Sequence, residues 1–265
     1  MGGSLAAACR RKFPRARIIG VTRSRHALRT ALKRRWIHQG FRDLSRGVQN
    51  ADLVVLCTPV DTFPKLLKAV DRAGKKGVLV TDVGSVKGSV ERWIGKRSWS
   101  HLRFVGAHPM VGSHQRGIEV ANKVLYDHGF TFLVRSRRTD QKSYGAVKAF
   151  WRKISSRLIE TDAETHDKIV AEISHLPHAI AACLLLAVSK KSLGFAASGF
   201  RDTTRIAEGH PSIWLPILHG NACALLNALD DFEKQLKNLR RALQSKNARI
   251  LKKILDFSSQ KRSQI

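Results

Sequence analysis

Four short segments contain the histidines, arginines and hydroxyl groups whose types and spacing could do chemistry. In chain order they are VTDVGSVKG (80–88), FVGAHPMVGSHQRG (104–117), SHLPH (174–178) and SGFRDTTRIAEGHPSIW (198–214). A histidine can take up a proton near neutral pH. An arginine can hold a carboxylate through two parallel hydrogen bonds, which a lysine cannot do. The segments therefore offer proton transfer and anion binding, provided that the fold brings them together.

Metal chemistry finds less support in the same residues. His175 and His178 stand three positions apart, so a helix would present both as possible ligands. No third ligand stands at a supporting spacing, and we therefore predict no metal site. The cysteines form no C-x-x-C pair and suit reduced thiols packed as small apolar side chains. They are Cys9, Cys57, Cys183 and Cys223.

Short apolar runs in the first half of the chain predict the elements that position these segments. The runs are ARIIGV (16–21), ADLVVLCTP (51–59), GVLVTDVGS (77–85), RFVGAHP (103–109) and GFTFLV (129–134). Because they are continuous rather than alternating, they indicate strands covered on both faces, as in a doubly wound, mostly parallel α/β sheet of the Rossmann type. Such sheets bind ligands at the carboxyl ends of their strands, where CTP, DVGS and HPMVGS fall.

After about Thr139 the strand signal stops and the pattern becomes helical. A long helical stretch runs through ETHDKIVAEISHLPHAIAACLLLAVSKK, and Pro177 is expected to kink or divide it. We predict a dinucleotide-binding domain at 1–138 and an all-helical domain at 139–265. A heptad-like stripe in the second domain could pack within the chain or form a homodimer interface. The stripe comprises Leu225, Leu229, Phe232, Leu236, Leu239 and Leu243.

The start of the chain carries a weak sign of a dinucleotide site. Such a site joins a strand to a helix through a glycine-rich turn, and Gly2 and Gly3 could be the end of that turn. About 20 residues further on, the second strand should end at the residue that faces the adenosine ribose. There the sequence reads Thr22, Arg23 and Ser24, whose hydroxyls and guanidinium suit a 2′-phosphate and favour NADP. NAD stays possible because any loop of so basic a chain can carry arginines.

The chemistry-bearing segments resemble those of the prephenate/arogenate dehydrogenase family. The motifs D-V-G-S-x-K, H-P-M-x-G and F-R-D-x-T-R-I-A carry the resemblance, which runs over nearly the whole chain. It implies an NAD(P)-dependent oxidative decarboxylation in the tyrosine branch of aromatic biosynthesis. In that reaction hydride leaves the ring carbon that bears the hydroxyl, the hydroxyl proton is taken, and carbon dioxide departs as the ring becomes aromatic.

The resemblance also implies roles for individual residues. His108 would polarise the substrate hydroxyl or accept its proton, Ser85 would touch both nicotinamide and hydroxyl, and Arg205 would bind a substrate carboxylate. The expected substrate-binding set is completed by Arg201, Ser113, His114, His175 and Trp214. The expected cofactor-binding residues are Gly2, Gly3, Thr22, Arg23, Ser24, Thr58, Pro59 and Ser85.

The choice between the two substrates is open at this point. Arogenate carries an ammonium group where prephenate has a keto group, so a site that selects arogenate would favour a carboxylate nearby. The loop after His108 has no acidic residue before Glu119, which favours prephenate. A hydroxyacid dehydrogenase of similar layout is the alternative enzyme class, but it would leave the H-P-M and T-R-I-A segments without a role.

Family members begin with an apolar strand and a G-x-G-x-x-G-G-S-L turn, and MGGSL matches only the end of that turn. The sequence is therefore expected to lack the first strand of the sheet. A misassigned start would explain this, and the alternative is a truncated, inactive remnant. Unpaired backbone groups beside a missing central strand would cost about 1–3 kcal/mol each when buried.

The net charge of +28, from 48 basic and 20 acidic residues, needs its own account. No aromatic-interleaved or helix-turn-helix segment accompanies the charge, so we predict non-specific attraction to polyanions rather than specific nucleic-acid binding. The strand-like RARIIGVTR does not suit a transit peptide. With no apolar stretch of membrane-spanning length, the sequence predicts a cytoplasmic protein with a small-molecule substrate and no membrane partner.

Overall fold

The computed structural model describes residues 1–112, 117–136 and 138–265. The expected substrate residues Ser113 and His114 thus lie outside the described residues. The described chain forms two compact units, Met1–Asn221 and Ala222–Ile265. All strands of the described chain belong to the first unit.

Short, mostly parallel strands build the first unit. They are β1 (Ile19–Val21), β2 (Gln39–Phe41), β3 (Leu53–Leu56), β4 (Val78–Asp82), β5 (Leu102–Phe104), β6 (Gly106–Pro109), β7 (Phe130–Val134) and β8 (Arg157–Thr161). β1 pairs with β2, β4 lies between β3 and β5, and β7 lies between β6 and β8. Only the β6–β7 pairing is antiparallel among the described strands. The predicted mostly parallel sheet is therefore confirmed.

The pairing is interrupted between β1 and β3. In the described chain, β1 and β2 form a sheet of their own and make no strand pairing with the other groups. The described strands therefore form three separately paired groups of two, three and three strands.

Two apolar clusters cover opposite faces of the strands. Val78 and Val80 of β4 belong to one cluster, whereas the intervening Leu79 packs against the other. Successive side chains of a strand point to opposite faces, so this division means that helices cover both sides. The first cluster is centred on Phe63, Leu67 and Leu102, and the second on Tyr126, Leu133 and Trp151.

Helices fill the connections of the first unit and its C-terminal part. They are α1 (Gly2–Lys12), α2 (Arg25–Lys33), α3 (Leu44–Val48), α4 (Phe63–Ala73), α5 (Gly88–Gly95), α6 (Gln141–Ile154), α7 (Ala163–Val170), α8 (Leu176–Ala187), α9 (Lys190–Leu193), α10 (Ser198–Thr204) and α11 (Pro211–Gly220). Several begin at a polar residue whose side chain accepts a hydrogen bond from a backbone N–H of the first turn, which stabilises the helix start. These capping residues include Ser24, Asp43, Asp140 and Asp162.

The strand β8 corrects the expectation that the strand signal stops near Thr139. This strand follows α6 and pairs in parallel with β7 along its whole length. Its sequence, RLIET, lacks the continuous apolar run of a buried strand. Glu160 instead accepts hydrogen bonds from Tyr144 and Lys148 of α6, as suits a strand at the edge of a sheet.

The long apolar helix also differs from the expectation. A π-helical turn, Ala171–His175, joins α7 to α8, and the combined helix Ala163–Ala187 is 25 residues long. Pro177 stands in the first turn of α8, directly after this π-helical turn, so the α-helix is interrupted beside Pro177 but the helical segment runs on. The helix is long and apolar enough to cross a membrane by length and composition, contrary to the sequence expectation. The same helix holds buried polar side chains at His166, Asp167, His175 and His178.

The second unit consists of α12 (Ala222–Gln244) and α13 (Ala248–Arg262), which pack against each other. Along α12 the predicted stripe is exposed toward its end. Leu236 and Leu243 are 52% and 57% exposed, and they stand one heptad apart on the same face.

Candidate active site

The turn after β4 is held by a buried ion pair. Asp82, the last residue of β4, accepts hydrogen bonds from the backbone N–H of Gly84 at 2.8 Å and from Lys87 Nζ at 2.6 Å. Lys87 also donates to the carbonyl oxygen of Gly84 at 2.7 Å. Both charged side chains are almost inaccessible to solvent, so each compensates the desolvation of the other. The half-buried Ser85 lies within this fixed turn.

The same aspartate connects the turn to His108. The second oxygen of Asp82 accepts the backbone N–H of Ala107 at 2.9 Å, and His108 follows directly on β6. In the β6–β7 pair His108 lies opposite Phe132. The fold therefore fixes the backbones on either side of Ser85 and His108 through one carboxylate.

A chain of three buried side chains extends from His108 into helix α7. His108 Nδ1 lies 2.9 Å from His166 Nε2, and His166 Nδ1 lies 2.8 Å from Asp167 Oδ1. Asp167 also accepts the backbone N–H groups of Lys87 and Gly88, both at 2.8 Å. A Cβ at position 88 would come within 2.8 Å of the Asp167 carboxylate, so this close approach requires glycine.

Burial sets the protonation of these groups. It lowers the pKa of His108 well below the ordinary value, and the nearby His166, Lys87 and His175 lower it further. Burial also lowers the pKa of His166, and the hydrogen bond to Asp167 offsets only part of that effect. Burial alone would raise the pKa of Asp167, but its hydrogen bonds from His166, Lys87 and Gly88 prevail and the pKa is lowered. At neutral pH the two histidines are therefore neutral and the carboxylate is ionised.

The helical segments bring a second group of aromatic and imidazole rings together. The rings of His178 and Trp214 stack at 3.5 Å with an angle of 8°, and His175 meets Trp214 edge-on at 6.2 Å. Asn221 donates from Nδ2 to His175 Nδ1 at 3.1 Å. His175 Nε2 and His178 Nδ1 are buried without a hydrogen-bond partner among the described residues. Because an unpaired buried nitrogen is costly, both are suited to a ligand.

The two arginines of the last segment are exposed. Arg205 begins a 3-10 turn, Arg205–Glu208, which packs on α8. The backbone of the next residue, Ile206, forms a hydrogen bond with His178. Arg205 is therefore the sequence neighbour of a residue that contacts the stacked His178 and Trp214 rings. Arg201, on α10, donates from Nε to the carbonyl oxygen of Ala196 at 3.1 Å.

The residues at the start of α1 fit a dinucleotide. No acidic residue occurs in its first turn, so the free N–H groups there favour an anion. A Cβ on Gly3 would come within 2.5 Å of Ile118, and a Cβ on Gly2 within 3.2 Å of Cys57. The glycines thus let the helix start pack closely beside the end of β3, where the exposed Thr58 and Pro59 follow.

The expected ribose-binding residues follow the end of β1. Ser24 caps α2 by accepting the backbone N–H of Ala27 at 3.1 Å, and the Thr22 hydroxyl accepts the N–H of Ser24 at 3.4 Å. Arg23 is exposed, and its carbonyl oxygen accepts a hydrogen bond from Arg42. This loop has the hydroxyl and cationic groups that a 2′-phosphate requires.

Sequence reasoning missed Asp82, Lys87, His166 and Asp167. All lie inside segments noted for other reasons, but neither periodicity nor spacing indicated that a helix would bring His166 against His108. Among the described residues, no group of three or more histidine, cysteine, aspartate and glutamate side chains is arranged to hold a metal ion.

A mostly parallel sheet with a glycine-started helix beside its strand ends is typical of a dinucleotide-binding domain. Two family models match the chain: "Prephenate dehydrogenase, nucleotide-binding domain" at residues 5–160 and "Prephenate dehydrogenase, dimerization domain" at residues 162–257. The chain belongs to the prephenate dehydrogenase family.

Individual relatives agree with this assignment. Prephenate dehydrogenase of Bacillus subtilis (strain 168) is 33% identical over 258 residues, which cover 94% of this chain and 69% of the relative. The crystal structure of prephenate dehydrogenase from A. aeolicus, in complex with hydroxyphenyl propionate and NAD+, has a TM-score of 0.88 at 28% identity and covers 100% of this chain and 95% of that one. Synechocystis arogenate dehydrogenase has a TM-score of 0.83 at 28% identity, covering 99% and 95%. The chain thus has a prephenate-type dehydrogenase role.

Proposed function

We propose that this protein oxidises and decarboxylates prephenate to 4-hydroxyphenylpyruvate with NADP as the hydride acceptor. The observation that carries the proposal is His108, a buried and neutral imidazole fixed beside the Ser85 turn at the carboxyl ends of β4 and β6. A neutral imidazole can accept the hydroxyl proton that must leave as hydride departs. Family membership supplies the reaction class.

Each part of the site has a role in this proposal. His108 accepts the hydroxyl proton, and Ser85 orients the hydroxyl. Arg205 binds one carboxylate, assisted by the positive charge of Arg201. His175, His178 and Trp214 enclose the substrate. Ser113 and His114 stay predicted substrate-binding residues and lie outside the described residues. A nicotinamide bound beside Ser85 would supply the hydride acceptor for this reaction.

The preference for NADP rests on the loop after β1. Gly2 and Gly3 would hold the pyrophosphate at the start of α1. Thr58, Pro59 and Ser85 would line the nicotinamide side, and Thr22, Arg23 and Ser24 would hold the 2′-phosphate.

The Arg23→Glu substitution tests this preference. We expect it to lower kcat/KM for NADP by roughly 10–100-fold, as for the loss of a charge-assisted hydrogen bond, and to leave kcat/KM for NAD unchanged. Arg17→Glu, before β1 at the opposite end of the same strand, is the matched control. Equal loss with both cofactors would contradict the NADP preference.

We further propose that the protein is a cytoplasmic homodimer. We also propose that the division at 138–139 separates cofactor binding from substrate binding and dimerisation, although β8 extends the strand pairing beyond that point. The exposed stripe on α12 supports dimerisation, as does the description of the matching family domain as a dimerization domain. Arogenate is the second candidate substrate, because a structural relative of similar fold is an arogenate dehydrogenase.

The proposed function is tested by following nicotinamide absorbance with prephenate and arogenate, each with NADP and with NAD. We expect the highest kcat/KM for prephenate with NADP. His108→Asn should lower kcat by roughly 10²–10⁴-fold, whereas His219→Asn, at an exposed histidine of α11, should leave it unchanged. If the folded wild-type chain turned over neither substrate with either cofactor, the proposed enzyme activity would be refuted and an inactive remnant would be supported.

A further inference from the structure

We infer that His166 and Asp167 act as positioning residues that fix His108 in the tautomer whose Nε2 can accept the substrate proton. The inference rests on the proposed function, because it explains how the proposed base is kept ready. It assigns a role to two buried residues of helix α7 that the proposed function leaves without one.

The hydrogen-bonded chain His108–His166–Asp167, called the relay below, is held in place by several elements of the fold. Asp167 is held by backbone N–H groups of Lys87 and Gly88, which belong to the turn that also contains Ser85. His166 is fully buried, and its ring packs edge-on against Phe132 at a centroid distance of 5.1 Å. Phe132 is the cross-strand neighbour of His108. Helix α7, strand β7 and the turn after β4 therefore all constrain the same two contacts.

The hydrogen-bond chain determines which nitrogen carries the proton. An ionised Asp167 can only accept, so His166 Nδ1 must be the donor in the 2.8 Å contact. The neutral His166 then has its lone pair on Nε2, and His108 Nδ1 must donate across the 2.9 Å contact. The opposite nitrogen of His108, Nε2, is left with the lone pair that a proton acceptor needs.

The charges around His108 explain why such a relay is useful. Lys87, from the turn after β4, and His175, from the π-helical turn, disfavour a positive charge on His108. Asp82 from β4 partly balances Lys87 through the buried ion pair. From α7, the ionised Asp167 acts through His166 and stabilises the imidazolium that forms when His108 takes the proton.

The proton returns to the product within the same turnover. As hydride leaves the ring carbon for the oxidised nicotinamide, the hydroxyl proton passes to His108 Nε2. The bond to the ring carboxylate then breaks, carbon dioxide leaves, and its electron pair completes the aromatic ring. The oxygen regains the proton from His108 as the phenol forms, so no net proton is consumed.

Two substitutions of similar volume distinguish a hydrogen-bonding role of His166 from a role in packing alone. His166→Gln keeps an oxygen that can accept the His108 Nδ1–H, whereas His166→Met fills the same space with an apolar side chain. We expect His166→Met to lower kcat by roughly 10²–10⁴-fold with little change in KM, and His166→Gln to lower it by less than about tenfold. If His166 were only a packing residue, methionine would preserve activity at least as well as glutamine.

The tautomer is measured directly by 15N NMR of the imidazoles, with His108→Asn used to assign the signals. We expect His108 of the wild type to be protonated at Nδ1 and bare at Nε2, and the Nδ1–H population to fall in His166→Met. A wild-type His108 protonated at Nε2 would overturn the relay, even if the variants fail to fold. Because this measurement needs no turnover, a wild type inactive with both substrates would refute the proposed function without deciding the relay.

Discussion

Arg205 is the residue whose proposed role depends most on the shape of its charged group. It is exposed and begins the turn next to Ile206, whose backbone contacts His178. Arg205→Lys keeps the charge but loses the bidentate fork, so KM for prephenate should rise by roughly 10–100-fold with a smaller change in kcat. Arg240→Lys, on the exposed surface of α12, is the control. Steady-state kinetics showing an unchanged KM for Arg205→Lys would contradict carboxylate binding there.

A second prediction at the residue scale concerns His175 and stability at low pH. Burial lowers its pKa from 6.5 to about 4 in the folded protein. Between these values the unfolded chain binds the proton and the folded chain does not, so the stability contribution is lost as pH falls from about 6.5 toward 4. The loss from this group reaches about 3 kcal/mol.

His175→Asn removes this titration and keeps an acceptor for Asn221. Urea unfolding followed by tryptophan fluorescence should show the wild type losing stability relative to the variant as pH falls from about 7 to about 4.5. Glu91, whose pKa burial raises, titrates in both proteins and cancels in the comparison. The difference between the two curves reports His175 together with its electrostatic effect on His108, whose pKa burial lowers and His175 lowers further. His166 and His178, whose pKa values burial also lowers, are present in both proteins. Parallel curves for the two proteins would show that His175 titrates normally.

At the scale of elements, the exposed stripe on α12 predicts self-association. Replacing Leu236 and Leu243 by lysine should weaken a dimer by roughly a thousandfold or more, since four leucines per dimer would lose their burial. Gln235→Lys with Asn238→Lys adds the same charge at exposed polar positions of the helix. Sedimentation should find the leucine variant monomeric and the control dimeric. A wild type already monomeric would contradict the dimer.

The elements also show which structure can be predicted from local sequence. The runs around β3, β4 and β7 were identified because buried parallel strands require continuous apolar residues. β2 and β8 were missed because QGF is short and the exposed side chains of RLIET interrupt the apolar signal. The run 103–109 predicts one strand, but the chain changes its pairing partner at Val105, from the parallel β4 to the antiparallel β7.

Some residues of the candidate site could be predicted from local sequence, and others could not. Ser85 and His108 could be located from motifs because each follows or ends a strand. The contact of His108 with His166 joins residues 58 positions apart, and such pairing depends on how α7 crosses the sheet rather than on local pattern. For the same reason, the sequence could not show that two distant carboxylates hold the turn around Ser85. Asp82 directly precedes this turn, whereas Asp167 comes from helix α7.

At the scale of the whole molecule, the charge predicts a property separate from catalysis. Even if each of the 20 acidic residues were paired with a basic one, 28 basic side chains would lack an acidic partner. The protein should therefore bind heparin at about 0.05 M salt and be released by about 0.5 M, because this attraction depends on counterion release. An uncharged dextran column is the control, and retention that survives about 1 M salt would indicate a specific contact instead.

Catalysis should respond to salt in a different way. The proposed substrate, prephenate, is a dianion, so kcat/KM should fall several-fold over the same salt range as long-range attraction is screened. The value of kcat at saturating substrate should stay nearly constant, because the buried His108 chain is shielded from mobile ions. A parallel fall of kcat and kcat/KM, with the protein still folded, would mean that the basic surface contributes to the chemical step itself.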